Sequence, residues 1–247
     1  MIASLPMYDR AETKAANDRL WGLIAANLPD APSDLTRGGN PWDHWQSPDL
    51  YLSQTCGLPF RLGLHNQVHL IGSPCHRLPG LKDGHYNSVL IARANDPRSS
   101  FEDFAGAPVA ANGSDSQSGW AALTAHAAAN NVQLGPVDIS GAHLKSALLV
   151  KNGRADIAAL DCVTWDMIQN WDEWASGLKV IDQTVQTPAL PFVTSQVELV
   201  EPIRNAMRLA LSQLADDDKR TLRFHDIVEI PASDYLALPL PPAMNSR

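Results

Sequence analysis

The chain has 247 residues, a formal net charge of -8, and a composition of 45% hydrophobic and 19% charged residues. This is the composition of a globular protein with one large domain or two small ones. The acidic balance argues against a protein that binds nucleic acid, and no stretch approaches the roughly 20 apolar residues of a membrane helix.

The N-terminus and the cysteines bear on the cellular compartment. "MIASLPMYDR" lacks the basic start and the long apolar region of a signal peptide, so we expect either a cytoplasmic chain or a mature form with a new Met. Three widely spaced cysteines, Cys56, Cys75 and Cys162, do not indicate a disulfide framework. A single pair could still form in an oxidising compartment.

The first third of the chain predicts a strand, a helix and then three more strands. "MIASLPMY" indicates a strand that ends at Pro6, and Asp9 is the expected N-cap of the helix that follows. The apolar residues of this helix recur at helical spacing: Leu20, Trp21, Leu23, Ile24 and Leu28. Beyond a turn-rich connection, three apolar runs bounded by turns predict strands: "DLYLSQ", "QVHLIGSP" and "YNSVLIARAN".

The rest of the chain continues this alternation. A short helix at "SFEDF" and a strand at "PVAAN" precede a helix predicted over residues 119–130, and "VQLGPVDISGAH" predicts a strand and a turn. In "AHLKSALLVKNGRADIAALD" a helix runs to Lys151, Gly153 stops it, and a buried strand ends at Asp161. The remaining predictions, in order, are a helix at "CVTWDMIQNW", two strands within "LKVIDQTVQTPALPFVTS", one long amphipathic helix over "ELVEPIRNAMRLALSQLADDDKR", and the end segment "FHDIVEIPASDYLAL". Alternating strands and helices indicate an α/β fold with mostly parallel sheets.

One polar stretch is a candidate anion site. "NGSDSQSGW" places Ser114, Ser116, Ser118 and Gly119 between a predicted strand and a predicted helix. A helix N-terminus has free amide groups and a partial positive charge, and ligands of open α/β sheets bind beyond the carboxyl ends of strands. An N-cap serine followed by an ordinary polar loop explains the same residues. The nucleotide motif GxxxxGK[ST] is absent.

Two further residues stand at ends of predicted elements. Asp161 ends a strand, where it could bind a cationic or hydroxyl part of a ligand, cap the next helix, or do both through different oxygens. His143 lies in the first turn of a helix, where a neutral imidazole could donate to an anion. A surface or packed histidine explains His143 as well.

The Cys and His residues between positions 56 and 85 do not predict a metal site. They are Cys56, His65, His69, Cys75, His76 and His85. His65 and His69 would face one way on a helix, but His69 falls in a predicted strand, and neither a CxxC pair nor HExxH occurs. We expect no metal and no other cofactor. The GxSxG elbow of serine hydrolases is also absent.

Five segments share an order and spacing with a known family. They are "SQTCGLP", "GHYNSVLIAR", "SQSGW", "GAHLKSALLVKNGRADIAALD" and "TPALPFV". "SQSGW" resembles the S-x-S-G segment of the phosphonate-binding branch of the periplasmic binding proteins. The fourth segment resembles that family's run G-x-H…V-x-x-G-x-A-D-x-A-x-x-D. The others resemble its loop after the third strand, its strand into the second lobe and its return crossing. The resemblance extends from Met1 to about Leu238.

The resemblance implies the type II periplasmic-binding-protein fold, with two α/β lobes joined by two crossing segments. Each lobe would be a mixed, mostly parallel sheet flanked by helices. Residues 1–93 and 188–247 would form a discontinuous first lobe, and residues 94–187 the second. The implied ligand contacts are Ser116, Gln117, Ser118, His143 and Asp161 in the second lobe and Tyr8 and Thr55 in the first.

The implied function is binding without catalysis. Such a protein closes its lobes on a small oxyanion, such as phosphonate, phosphate or phosphite, and delivers it to an ABC transporter permease or a sensor partner. The resemblance implies a periplasmic location, whereas the start of this chain allows a cytoplasmic one. Two alternatives stay open: a cytoplasmic ligand sensor joined to another protein, and an enzyme on the same fold acting on a small phosphorylated or heterocyclic metabolite. In the enzyme, the reactive candidates would be His143, Cys56 or Cys162.

Overall fold

A computed structural model of the chain describes residues 1–244, and the chain divides into two compact units. The first unit comprises Met1–His85 and Pro188–Ala237. The second comprises Tyr86–Thr187 and a terminal segment that starts at Leu238. The chain therefore passes between the units three times, at residues 85–86, 187–188 and 237–238. The family resemblance implies two of these passages.

Within residues 1–244 the structure contains twelve strands and nine α-helices. The strands are β1 (Ile2–Ser4), β2 (Leu50–Gln54), β3 (His69–Cys75), β4 (His85–Tyr86), β5 (Ser88–Arg93), β6 (Val109–Ala111), β7 (Val137–Ile139), β8 (Ile157–Asp161), β9 (Leu178–Gln183), β10 (Thr187–Pro188), β11 (Phe192–Thr194) and β12 (Asp226–Val228). The helices are α1 (Lys14–Ala25), α2 (Pro41–Trp45), α3 (Gly57–Leu62), α4 (Ala122–Ala129), α5 (His143–Lys151), α6 (Cys162–Trp171), α7 (Val200–Gln213), α8 (Asp216–Leu222) and α9 (Ala232–Leu236). A π-helical turn, Gln117–Ala121, leads directly into α4, and shorter helical turns lie at Leu64–Asn66, Glu102–Phe104, Glu173–Gly177 and Val197–Leu199.

The sheet of the first unit has the strand order β1-β2-β11-β3-β12. β1 and β2 are parallel, whereas β11 is antiparallel to both β2 and β3, and β12 is antiparallel to β3. Strands β1, β2 and β3 therefore share one direction, and their carboxyl ends lie at the same edge of the sheet.

The core of the first unit forms where α1 and α7 pack against this sheet. Trp21 and Ile24 come from α1, Ile203 and Met207 come from α7, and Phe192 comes from β11. Each of these side chains is at most 3% exposed. Burying a side chain of this size contributes roughly 1.5–3 kcal/mol, so the apolar stripes of the two helices fix both of them on the sheet.

The sheet of the second unit has the strand order β7-β6-β8-β5-β9. β6 is parallel to β7 and β8, and β5 is antiparallel to β8 and β9. All strands except β5 therefore share one direction. The core on this sheet includes the buried side chains of Phe101, Phe104, Trp120 and Leu123. The predicted α/β fold with mixed, mostly parallel sheets flanked by helices is confirmed.

Two predicted helix boundaries are wrong. The N-cap of α1 is Thr13 rather than Asp9, because the Asp9 carboxylate accepts hydrogen bonds from Arg37 Nε at 2.6 Å and from Asn17 Nδ2 at 3.0 Å. The long helix predicted near the C-terminus is two helices, α7 and α8. Between them Leu214 is buried and has an extended backbone, with φ -64° and ψ 136°.

The division into units differs from the predicted lobe boundaries at two places. β5 was predicted in the first lobe, but it is hydrogen-bonded between β8 and β9 of the second unit. The first passage therefore lies at residues 85–86. The terminal segment belongs to the second unit because Pro242 O accepts a hydrogen bond from Trp120 Nε1 and Met244 packs on that unit's core. Residues 245–247, predicted in the first lobe, lie outside the described residues.

No helix within the described part of the chain has both the length and the apolar character needed to cross a membrane.

Candidate ligand-binding site

Parallel strands bring the candidate residues of the second unit to one edge of its sheet. β6 leads into the turn that carries Ser116, Gln117 and Ser118, β7 leads into α5, which begins at His143, and β8 ends at Asp161. Since these three strands are neighbours with one direction, their carboxyl ends adjoin. Ligands of open α/β sheets bind at this kind of edge.

Ser116 is the N-cap of the π-helical turn. Its backbone is extended, with φ -84° and ψ 126°, and its Oγ accepts a hydrogen bond from Gly119 N at 3.0 Å. Its carbonyl oxygen accepts from Trp120 N at 3.3 Å and from Ala121 N at 3.0 Å. The second of these bonds spans five residues and widens the turn, a form often found at functional sites. The capping explanation is therefore correct for Ser116, while the next two residues lie in the first turn, where amides lack intrahelical partners.

Gly119 allows the loop after β6 to lie close against this turn. A Cβ atom at position 119 would be 1.8 Å from Asn112 Oδ1. That oxygen is buried and has no hydrogen-bond partner within residues 1–244. A larger residue at position 119 would have to displace the Asn112 side chain from this position.

Ser118 and His143 form a hydrogen-bonded pair. Ser118 Oγ lies 2.8 Å from His143 Nε2, and the carbonyl oxygen of Ser118 accepts from Ser88 Oγ at 2.9 Å. α5 begins at His143 without a side-chain cap from Ala142. The pair thus joins two helix starts, and both starts present amides and a polar side chain to the same edge of the sheet.

His143 is neutral at physiological pH. Burial lowers the pKa of His143 to about 4, and an interaction with the backbone of Ala159 offsets part of this lowering. Nδ1 is buried without a well-formed hydrogen bond to residues 1–244. A neutral ring carries a single N–H, so His143 and the Ser118 hydroxyl can together orient one hydrogen toward an oxygen of a ligand.

Asp161 is confirmed as a helix cap. Its Oδ1 accepts hydrogen bonds from the amides of Val163 at 2.7 Å and Thr164 at 3.0 Å, and the residue is 2% exposed. Ser88, its partner across the β5–β8 pair, also bonds the Ser118 carbonyl. Ser88 was not predicted as a site residue. Its signal was a single polar residue at the start of the apolar strand "SVLIAR".

Two of the three groups expected of an enzyme, His143 and Cys162, are poorly placed for reaction. A serine–histidine pair acts as a nucleophile and base when a third group orients the histidine, and no carboxylate among the described residues accepts from His143 Nδ1. The Cys162 thiol is buried, and burial raises its pKa to about 12. The reactive form of cysteine is the thiolate, and burial disfavours that form at Cys162.

The two candidates of the first unit lie at the carboxyl edge of its own sheet. Tyr8 follows β1, and its ring meets the ring of His76 edge-on with centroids 5.7 Å apart. The Tyr8 carbonyl accepts from Thr13 Oγ1 at 2.6 Å. Thr55 follows β2 and is fully buried, with its Oγ1 donating to the Cys56 carbonyl at 3.3 Å. Both loops are therefore held by local hydrogen bonds.

His76, which the sequence analysis considered only as a possible metal ligand, is a buried hydrogen-bond acceptor in the structure. Its Nδ1 lies 2.7 Å from the Arg223 carbonyl, so Nδ1 carries the hydrogen and Nε2 is an acceptor with no partner within residues 1–244. Burial lowers its pKa to about 4. It lines a cavity of about 30 Å³ together with Tyr8, Gln54 and mostly apolar side chains.

The Cys and His residues of the first unit do not assemble a metal site. Within residues 1–244, no group of three or more His, Cys, Asp or Glu side chains is placed to hold a metal ion. The cysteines are free thiols, so the structure shows no disulfide among Cys56, Cys75 and Cys162.

Solved structures of binding proteins share this fold. The binding protein component of an ABC phosphonate transporter from Pseudomonas aeruginosa aligns with a TM-score of 0.72 and 16% identity, over 96% of this chain and 82% of that one. PhnD1 from Prochlorococcus marinus in complex with methylphosphonate gives a TM-score of 0.72 and 15% identity, over 95% of this chain and 94% of that one. XAC2383 from Xanthomonas citri bound to ATP gives a TM-score of 0.65 and 14% identity, over 96% of this chain and 94% of that one. These likenesses define the type II periplasmic-binding-protein fold.

The sequence itself identifies the family within this class. Residues 76–235 match the family described as "ABC transporter, phosphonate, periplasmic substrate-binding protein". The match spans more than half of the chain, and the chain belongs to this family. Its members are substrate-binding proteins of ABC phosphonate transporters. A comparison with curated protein sequences gave no match.

Proposed function

We propose that this chain binds a small phosphonate-type oxyanion, such as a phosphonate, phosphate or phosphite, at the carboxyl edge of the second unit's sheet. The observation that carries the proposal is the hydrogen-bonded pair of Ser118 and His143, which joins the starts of two helices. Helix starts favour anions through their amides and partial positive charge. The Ser118 hydroxyl, oriented by His143, and backbone amides supply the rest without a lysine or arginine.

The donors have separate roles in this proposal. The Ser118 hydroxyl donates to an oxygen of the anion, while the neutral His143 ring donates to Ser118 Oγ and so orients that hydroxyl. Gln117 and the amides of the first turn add further hydrogen bonds. Ser116 acts mainly by capping the turn through Gly119 N. Asp161, which caps α6, and Tyr8 and Thr55 of the first unit enter the proposal through the family resemblance.

Binding without catalysis is the proposed outcome. The two units close on the ligand, and an ABC transporter permease or a sensor protein recognises the closed form. The missing orienting group on His143 and the raised pKa of Cys162 support binding over catalysis.

Thermal unfolding with a panel of anions tests the proposal. The panel is phosphate, phosphite, methylphosphonate, aminoethylphosphonate, sulfate and small carboxylates. A ligand present at about 100 times its dissociation constant should stabilise the protein by about 2.7 kcal/mol. Ser118→Ala should weaken binding by roughly tenfold to a hundredfold, since hydrogen bonds to charged groups are worth about 1.5–3 kcal/mol.

Ser114→Ala is the matched control because Ser114 is exposed and lies in the same loop. It should leave anion binding unchanged. Stabilisation by no phosphorus anion, or equal losses from Ser114→Ala and Ser118→Ala, would refute the proposed site. Recovery of the anion unchanged from denatured protein distinguishes binding from the enzyme alternative.

A further inference from the structure

The terminal segment, residues 238–244, contacts the turn that carries the candidate anion donors. The Pro242 carbonyl accepts a hydrogen bond from Trp120 Nε1 at 3.1 Å, and Met244 packs against the apolar core that includes Trp120. Trp120 belongs to the same π-helical turn as Gln117 and Ser118. The chain enters this segment directly from α9 of the first unit.

The hydrogen bond to Pro242 satisfies a buried donor. Trp120 is 5% exposed, and a buried indole N–H needs an acceptor. Without the terminal segment this N–H would lose its partner, and Met244 would no longer cover the core. Three prolines in "LPLPPAM" restrict the backbone of the segment, so ordering it costs less conformational entropy than ordering a flexible tail.

The backbone links Trp120 to the anion donors. Ser116 O accepts from the amides of both Trp120 and Ala121, so the turn closes through Trp120. Movement of the indole would shift the hydrogen bonds that set the positions of Gln117 and Ser118. The indole and the donor residues therefore belong to one short hydrogen-bonded turn.

We propose that the terminal segment is a positioning element for the anion site, acting through Trp120. It holds the Gln117–Ala121 turn in the form that binds the anion, and Trp120 is a positioning residue that does not touch the ligand. This inference rests on the proposed function in assuming that this turn binds the anion.

The experiment compares the full chain with a chain that ends at Ala237, with Trp120→Phe, and with both changes together. Amide hydrogen exchange of residues 116–121 is measured without ligand, and affinity is measured with methylphosphonate. Each single change should speed exchange in this turn and weaken binding by about threefold to tenfold, as expected for one hydrogen bond. The combined variant should bind methylphosphonate no more weakly than the single variant with the lower affinity. Both changes remove the same hydrogen bond, from Trp120 Nε1 to the Pro242 carbonyl. A synthetic peptide of residues 238–244 should restore protection to the shortened chain.

Trp165→Phe is the matched control, since Trp165 is also 5% exposed in the second unit and lies in α6. It should lower stability without changing exchange at residues 116–121. Unchanged exchange there in the shortened chain would overturn the proposal. Equal acceleration throughout α5 and β8 would also overturn it, because the segment would then be a general core cover. If no phosphorus anion binds the full chain, the proposed function fails, while faster exchange confined to the turn still supports the positioning role.

Discussion

At the carboxyl edge of the second sheet, the side chains of Ser118 and His143 are bonded to each other, whereas at the same edge of the first sheet His76 is bonded to the Arg223 backbone. A hydroxyl–imidazole pair can turn toward a ligand without leaving a backbone group unpaired. A ring bonded to a backbone carbonyl cannot move without losing that bond. The second edge is therefore suited to donating hydrogen bonds, and the first to keeping the shape of a small, mostly apolar cavity.

The largest expected effect is a loss of stability in acid. One source of this loss is His76, which is buried and hydrogen-bonded to the backbone. Burial lowers the pKa of His76 to about 4 from an ordinary 6.5, so the unfolded chain binds this proton more readily than the folded chain. Stability should be complete above about pH 6.5 and should fall by about 3 kcal/mol as the pH drops to about 4. Urea unfolding across this pH range measures the loss.

His76→Gln is the matched variant, since glutamine does not titrate and its amide can donate to the Arg223 carbonyl. The acid loss should be smaller in this variant by most of the expected amount. His143→Gln should reduce the acid loss by a similar amount, because burial lowers the pKa of His143 to about 4 as well. An acid loss in His76→Gln equal to that of the wild type would contradict the assignment of this cost to His76.

Much of the second edge could be predicted because its residues stand at the ends of elements. A buried strand that ends at Asp161 and a helix stopped by Gly153 are local patterns, and the structure shows both, with φ 72° at Gly153. Ser118 and His143 each mark a predicted helix start. The parallel order of β6 and β7 then brings those starts together.

The rest depends on long-range contacts or on elements too short for a periodic pattern. The bond from Ser88 to the Ser118 carbonyl and the bond from Trp120 to Pro242 join residues far apart in the chain. α2 has five residues, too few to show helical periodicity. The break between α7 and α8 has neither glycine nor proline, and it follows from the burial of Leu214.

A smaller loss of about 2 kcal/mol is expected from Asp161→Ala. The carboxylate caps α6 through two amides in a buried setting, and its removal leaves both amides unpaired. The matched variant of the first unit is Asn40→Ala, which removes one exposed bond of 3.2 Å to Trp42 N and should cost less than about 1 kcal/mol. Urea unfolding measures both, and Asp161→Asn should recover part of the loss. Equal losses from the two caps would show that burial at the second edge does not strengthen its polar contacts.

The smallest expected effect comes from adding a side-chain cap to a helix that begins without one. Two such helices are α5, after Ala142 in the second unit, and α8, after Ala215 in the first. A serine at either N-cap accepts a hydrogen bond from the first turn and should stabilise the protein by about 0.5–1 kcal/mol. Only Ala142→Ser should also weaken binding of methylphosphonate, because its hydroxyl would occupy an amide in the helix start that carries His143.

Unfolding gives the stability of each variant, and calorimetric titration gives its affinity. If Ala142→Ser is stabilised while its affinity is unchanged, the amides of α5 do not reach the anion and the donors come from the Gln117–Ala121 turn alone. If stability and affinity change in opposite directions only at Ala142, the missing cap has a functional reason. The second edge then leaves one helix start uncapped so that the ligand can supply the acceptor.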